Sequence, residues 1–320
     1  MKIVITGGYG FLGQLLAKKL LEIGKLVDRN GDLKTIDDII LIDQIEPKNP
    51  IKDVRSIFGD ISEPIFFNQA ITDDVDGVFH LAAIVSSAAE ADFDLGMKVN
   101  LDATRILLER CRKLPNKAKI VFSSSVAVFG NAPLIVEDDT PALPLSSYGM
   151  QKILGEYLIS EYTRKNYIDG RCVRLPTIAI RPGKPNKAAS SFVSSIIREP
   201  LSGENAICPV DRSQSLWIQS PSVIIENLIH AYNLNQQEWG TESRVVNLPG
   251  LTITVAEMIA SLKTHGGNTS LIIDKPDETI SRLVKSWPGA MNTKRARKMG
   301  FKNNDNFDSM IEEFIDQQIS

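Results

Sequence analysis

The stretch Tyr148-Gly149-Met150-Gln151-Lys152 sets a phenol and an ammonium four residues apart, at the start of a segment with helical spacing. One helical turn brings both to the same face. A nearby cation stabilises phenolate and lowers the tyrosine pKa, so such a pair can take a proton from a substrate hydroxyl near neutral pH. Upstream, Val121-Phe122 leads into Ser123-Ser124-Ser125. A serine hydroxyl at that strand end can orient the substrate oxygen. Alone, the Tyr–Lys spacing is a common pair on a helix surface. The serine run beside it, and the glycine pattern at the N-terminus, make it a proton-transfer site.

That glycine pattern is Gly7, Gly10 and Gly13 in MKIVITGGYGFLG, between a predicted strand (Lys2 to Ile5) and a predicted helix (Phe11 to Ile23). Glycines so spaced allow a tight turn, close approach of a pyrophosphate and close packing of helix on sheet. The helix start then favours a phosphate charge. Gly7, Gly10, Phe11, Leu12 and Gly13 are therefore the expected dinucleotide contacts. Asp43 ends a second strand, Ile39 to Ile42, where a carboxylate can bond both hydroxyls of an adenine ribose and repel a 2′-phosphate. With no arginine directly after it, Asp43 favours NAD over NADP. Asp60 and Ile61 follow another short strand and are placed near the adenine edge, though a turn role for Asp60 competes. Leu81, Ala82 and Ala83 follow the strand Asp76 to Leu81, where small residues let a backbone lie against a dinucleotide. His80 reads as a packed, hydrogen-bonded residue rather than a base.

The elements that must position these groups alternate. Strand patterns also occupy Lys119 to Phe122 and Gly170 to Leu175; helical patterns occupy Val99 to Cys111 and Ser147 to Tyr162. Apolar strands alternating with helices predict an α/β fold of the Rossmann type, a doubly wound parallel sheet covered on both faces. Lys25 to Asp37 is long and polar and reads as a surface excursion. After Pro176 prolines interrupt the pattern. Residues 1–176 are expected to form an NAD-binding domain, and 177–320 mainly a smaller C-terminal substrate-binding lobe with some segments returning to the first. Phe307 to Ile319 reads as a closing amphipathic helix.

The 320 residues carry a net charge of −3, so there is no basic excess to attract nucleic acid. Three scattered cysteines and three scattered histidines suggest neither a disulfide framework nor a metal site. No apolar stretch reaches the length of a membrane span. With no signal-peptide pattern after Met1, a reduced, cytoplasmic setting is expected.

TGGYGFLG, DGVFHLAA, FSSSVAVFG and YGMQK, in that order, resemble the motifs of the extended short-chain dehydrogenase/reductase superfamily. The resemblance implies a triad of Ser125, Tyr148 and Lys152. Tyr148 would be the base, Lys152 would hold the nicotinamide ribose, and Ser125 would bind the reacting oxygen. Asn100 would support the site through its helix and Thr177 would lie near the nicotinamide carboxamide. More narrowly, LAAIVSSAAEADFDLGMKVNLDATRILLERC, SSYGMQK and RLPTIAIRPGKPNKAASSFVSSIIREPLSG are similar to the D-erythronate dehydrogenase family, which oxidises the C2 hydroxyl of D-erythronate with NAD. Such a hydroxy acid needs a base, a hydride acceptor and a cation or amide donors for its carboxylate. Arg181 is the first choice for that last role, with Arg174, Ser86 and Ser87 as further candidates. Ser124 is a further expected substrate contact. Lys184 and Asn186 are weaker candidates, and Ser190, Ser191 and Phe192 stand where family members close over substrate. The alternatives are a nucleotide-sugar epimerase with bound NAD and a non-catalytic NAD-binding scaffold. A dehydratase is disfavoured, because Ser125-Val126-Ala127 replaces its Thr-Asp-Glu run. Family members often pair through helices such as Val99 to Cys111 and Ser147 to Tyr162, so a homodimer is the expected assembly.

Overall fold

Four of the five residues of Lys2–Thr6 (β1) are buried, as are Ile39 to Ile42, and such double-faced apolar strands belong in the middle of a parallel sheet. In the computed structural model, which describes residues 1–183, 188–240 and 243–319, they do lie there. β1 leads into α1 (Phe11–Ile23), then β2 (Lys25–Val27), β3 (Leu33–Thr35), β4 (Asp38–Asp43) and β5 (Arg55–Phe58). Next come α2 (Pro64–Ala70), β6 (Gly77–His80), α3 (Ser86–Ala91), α4 (Phe93–Gly96), a π-helical turn at Met97–Asp102 and α5 (Ala103–Cys111). β7 (Lys119–Ser125), α6 (Ser147–Arg164), β8 (Asp169–Leu175) and β9 (Thr177–Ile178) follow.

The second half contains α7 (Ser191–Leu201), β10 (Ala206–Cys208), β11 (Ser215–Gln219), α8 (Pro221–Asn233), α9 (Gln236–Trp239) and β12 (Val245–Asn247). It ends with β13 (Leu251–Thr254), α10 (Val255–Thr264), β14 (Ile272–Asp274), α11 (Glu278–Lys285), α12 (Lys294–Lys298) and α13 (Phe307–Ile319). The main sheet has seven strands in the order β12-β8-β7-β6-β1-β4-β5, all parallel. The protein therefore has the α/β Rossmann-type fold. β1 stands between β4 and β6, so the strand order reverses at its C-terminal end, which is where such sheets bind ligands.

One core packs on each face of this sheet and a further one lies beyond it, besides a smaller cluster around Val126, Phe129 and Trp217. Ile3, Ile5 and Phe79 pack with α1 and with α8, whose Leu228 and Tyr232 are buried. Val4, Ile40 and Val78 pack on the other face with Leu107 and Ile159. A third core joins α7, β11, α10 and α13 through Val193, Ile218, Met258 and Phe314. Two segments of the second half, α8 and β12, thus belong with the main sheet; Val246 of β12 pairs with Val173 of β8.

The polar excursion is an antiparallel hairpin, β2–β3. The Asp28 carboxylate accepts from the Asn30 and Asp32 amides and forms its turn, and Asn233 of α8 accepts from the Val27 amide to anchor it. β7 runs three residues further than its apolar pattern, through the whole serine run.

Candidate active site

Three elements meet at the C-terminal edge of the sheet and deliver the triad. β7 ends on Ser125. The Ser146 hydroxyl caps α6 by accepting from the Gly149 amide at 3.1 Å, so Tyr148 falls in the first helical turn and Lys152 in the next. All three side chains line one cavity of about 350 Å³, together with residues of the glycine loop and of the second lobe. Ser125 Oγ accepts from the Ala127 amide at 3.1 Å, which fixes its rotamer at the strand end.

The glycine loop closes the other side. Gly7 has φ +68°, and a Cβ there would meet the Ala82 backbone at 2.9 Å. A Cβ on Gly13 would stand 2.2 Å from the Gly7 carbonyl. Backbone is thus packed against backbone where α1 leaves the loop. α1 has neither a side-chain cap nor an acidic residue in its first turn, so its first amides have no side-chain acceptor. Gly7, Gly10, Phe11, Leu12 and Gly13 all line the cavity. A helix N-terminus without a side-chain cap, approached by glycines, fits a dinucleotide pyrophosphate.

Asp43 lies beyond the cavity lining, at the tip of β4. One carboxylate oxygen accepts from the Tyr9 amide in the glycine loop and the other from Gln44, both at 2.8 Å. Each oxygen has a further lone pair for a ribose hydroxyl. Leu81 and Ala83 line the cavity, while Ala82 backs Gly7. Asp60 makes the turn bonds that its position also suggested. It accepts from the Ser62 amide and hydroxyl and pairs with Lys98 at 3.1 Å, with its pKa held below the usual carboxylate value by the Ser62 hydroxyl first. It is a turn aspartate, and neither it nor the buried Ile61 lines the cavity.

Asn100 is likewise committed. Its amide accepts from Ile84 N at 2.7 Å and donates to Ile84 O and to Gln151 Oε1 at 3.0 and 2.7 Å. It sits in the π-helical turn, where the register shift aims it at the segment leaving β6. Asn100 holds that segment rather than facing the cavity. The helix predicted from Val99 is in fact continuous with Phe93–Gly96 through this turn.

The substrate candidates separate. Arg181, Thr177, Ser86 and Ser190 line the cavity; Ser87 does not. Ser86 is buried and accepts from the Ala189 amide at 3.1 Å, joining α3 to the second lobe. Ser124 borders the cavity, but its hydroxyl is spent on Glu156. Arg174 lies elsewhere: Glu156 binds it through two hydrogen bonds, and both line a second cavity behind α6. Register pairs Arg174 with Ser124, on the sheet face that carries α6, and alternation turns both away from the face of Ser125. Lys184 and Asn186 lie outside the described residues. Trp287, from the loop after α11, also lines the cavity and had no local pattern in the sequence to announce it.

The electrostatics revise one expectation. The Lys152 ammonium donates to the Ser123 carbonyl at 2.8 Å and lies 4.8 Å from the Phe122 ring centroid, against 5.6 Å from that of Tyr148. Burial pushes the Tyr148 phenol up to about 12, with the Ser125 hydroxyl and the Arg181 charge working against it. Arg181 thus joins Lys152 as a cation beside the phenol. Burial also takes Lys152 down to about 8, opposed by Glu156. Arg181 comes down to about 10 through burial and the charge of Arg198, and stays cationic at neutral pH. Among the described residues no carboxylate pairs with it. His80 bonds Thr6 and Thr104 at 2.6 and 2.9 Å, and burial lowers it to about 3, so it is a neutral packed residue as the sequence suggested.

The profile of NAD dependent epimerases and dehydratases matches residues 3–216. The chain belongs to the NAD-dependent epimerase/dehydratase family. It is 47% identical to the D-erythronate dehydrogenase of Cupriavidus necator, over 99% of this chain and 98% of that one. The D-erythronate dehydrogenase of Haemophilus influenzae is also 47% identical, over 99% of both chains. A solved structure described as the nucleoside-diphosphate-sugar epimerase from Agrobacterium tumefaciens has 39% identity and superposes with a TM-score of 0.92, covering 100% of this chain and 94% of that one. NAD is the cofactor of this family, and the glycine loop, the α1 amides and the Asp43 carboxylate are the groups here that fit its phosphates and adenosine ribose. Among the described residues no group of histidines, cysteines or carboxylates is placed to hold a metal, and no helix is long and apolar enough to cross a membrane.

Proposed function

We propose that the protein is an NAD-dependent dehydrogenase that oxidises the C2 hydroxyl of D-erythronate to 2-oxo-D-erythronate. The observation that carries this reading is Arg181: a half-buried guanidinium that pairs with no carboxylate among the described residues, in the same small cavity as Tyr148, Ser125 and Lys152. Such a group favours an anion, because a charge drawn partly out of water gains from a partner. The 47% identity with two D-erythronate dehydrogenases over nearly their whole lengths supports the same substrate.

In this reading Arg181 binds the substrate carboxylate and sets C2 against the triad. Ser125 donates a hydrogen bond to the C2 oxygen. Tyr148 takes the hydroxyl proton, and Lys152 holds the nicotinamide ribose. NAD, when bound, accepts the hydride leaving C2. Asp43 binds the adenosine ribose hydroxyls, and the first amides of α1 bind the pyrophosphate. Burial opposes ionisation of Tyr148, so oxidation rises with pH until Lys152, brought down to about 8 by burial, loses its proton. The partner is a small hydroxy acid, in a cytoplasmic setting. Exposed Phe93, Leu95 and Tyr157 on α4 and α6 support a homodimer through that helical face.

The second reading is a nucleotide-sugar epimerase, favoured by the description of the Agrobacterium structure. A scaffold without activity is disfavoured by the retention of both Tyr148 and Lys152. Purified protein with NAD and D-erythronate is expected to generate NADH absorbance. No absorbance with four-carbon acids, together with interconversion of a UDP-sugar without net NADH, would establish the epimerase instead.

A further inference from the structure

The wall between the cavity of the triad and the second cavity, of about 740 Å³, is a buried polar network centred on Glu156. Glu156 follows Lys152 by one turn of α6, so both project from the same helical face. One carboxylate oxygen accepts from Arg174 Nε at 2.8 Å and from the Ser124 hydroxyl at 2.5 Å; the other accepts from Arg174 Nη2 at 2.7 Å. Arg174 in turn lies 4.9 Å from the Phe129 ring centroid and 3.3 Å from Asn247 Oδ1. Glu156 and Ser124 are each 2% exposed.

Burying an ion pair is costly, and an apolar pair of the same volume often stabilises a fold as well. The placement of this one points to a task beyond stability. Its three members come from α6, β7 and β8, and Ser124 is the residue directly before Ser125. The groups facing Lys152 are Glu156 and Tyr148 on α6, Cys172 on β8, the neutral His80 on β6, and the Phe122 ring and Ser123 carbonyl on β7. Burial keeps the Cys172 thiol protonated. Glu156 is the one full negative charge in this set.

We propose that Glu156 is a positioning residue, whose carboxylate, oriented by Arg174 and Ser124, keeps Lys152 as an ammonium at the Ser123 carbonyl and fixes the strand end that carries Ser125. Arg174 is then the clamp on this carboxylate, one layer behind the substrate. The inference rests on the roles given above to Lys152 and Ser125. Of the Glu156–Arg174 pair, the carboxylate is the member carried by α6, one helical turn from Lys152 on the same face.

The test uses the full chain with Glu156→Gln, Glu156→Asp, Arg174→Met and the double variant Glu156→Gln/Arg174→Met. Two pH profiles are measured from pH 6 to 10: kcat/KM for D-erythronate, and the NAD dissociation constant by calorimetry, which needs no turnover. Removing the carboxylate charge lowers the Lys152 pKa, so the alkaline fall of both profiles is expected to move down by about one pH unit or more in Glu156→Gln. Glu156→Asp is expected to recover part of that shift. The double variant leaves no unpaired buried charge, so it is expected to regain thermal stability without regaining the profile. Unshifted profiles in Glu156→Gln, or wild-type profiles in the double variant, would reduce the network to a structural ion pair and overturn the proposal. If the wild type does not oxidise D-erythronate, the reading of function fails, while the calorimetric arm still decides the role of Glu156.

Discussion

At the scale of single residues, the triad is compact but incompletely primed. Tyr148 keeps its proton at neutral pH because burial outweighs Ser125 and Arg181. Tyr148→Phe removes the proton-transfer group and keeps the ring. It is expected to cut kcat by about 10²-fold or more, with NAD binding by calorimetry within a few-fold of wild type. Unchanged turnover would remove Tyr148 from the chemistry. Arg181→Met deletes a cation that pairs with no carboxylate among the described residues. A hydrogen bond to a charged group contributes about 1.5–3 kcal/mol, so KM for the acid is expected to rise roughly 10- to 100-fold. Steady-state kinetics check this, and an unaltered KM would move the carboxylate site elsewhere. The same comparison separates Arg181, the first choice from the sequence, from Arg174, a further candidate there.

At the scale of elements, the decisive contact lies between the glycine loop and α1. A side chain on Gly13 would collide with the Gly7 carbonyl, which is backbone and has no rotamer to yield. Gly13→Ala therefore has to push α1 away from the loop, at about 1–3 kcal/mol. NAD affinity is expected to drop at least about tenfold, the loss that corresponds to the lower part of that range; calorimetry measures it, and wild-type affinity would mean that the loop adapts. This glycine pattern, the tyrosine–lysine turn and the serine run were all legible, because each depends on neighbours in the sequence. Asn100 and Asp60 were legible only as residues of interest. Their partners are Ile84, Gln151, Ser62 and Lys98, and which bonds they make depends on a π-helical turn and on the packing of α6 against it. Glu156 carried a signal that is easy to pass over, its four-residue spacing from Lys152.

At the scale of the whole molecule, burial of polar groups ties stability to pH. His80 has a folded pKa near 3 against about 6.5 for a free histidine. Below pH 6.5 the unfolded chain takes a proton that the folded one refuses, so stability falls as pH drops from 6.5 toward 3. Carboxylates held low by hydrogen bonds, such as Asp60, Asp211 and Glu257, add to this loss only below about pH 4. Urea unfolding is expected to show lower stability at pH 5 than at pH 7.5, with a smaller difference in His80→Asn; equal stability at the two pH values would contradict a buried neutral histidine. The sequence by itself determined the parallel α/β sheet and singled out the glycine loop and the Ser125, Tyr148 and Lys152 set as candidates, since periodicity and motif spacing are local and survive without knowledge of the fold. Only the tertiary structure decided that Arg181 and not Arg174 shares the cavity with Tyr148, that Ser124 serves Glu156, and that Trp287 reaches the site from more than a hundred residues away in the chain. Which face of a strand a side chain occupies, and what stands opposite it once buried, is fixed by packing between segments that are distant in sequence.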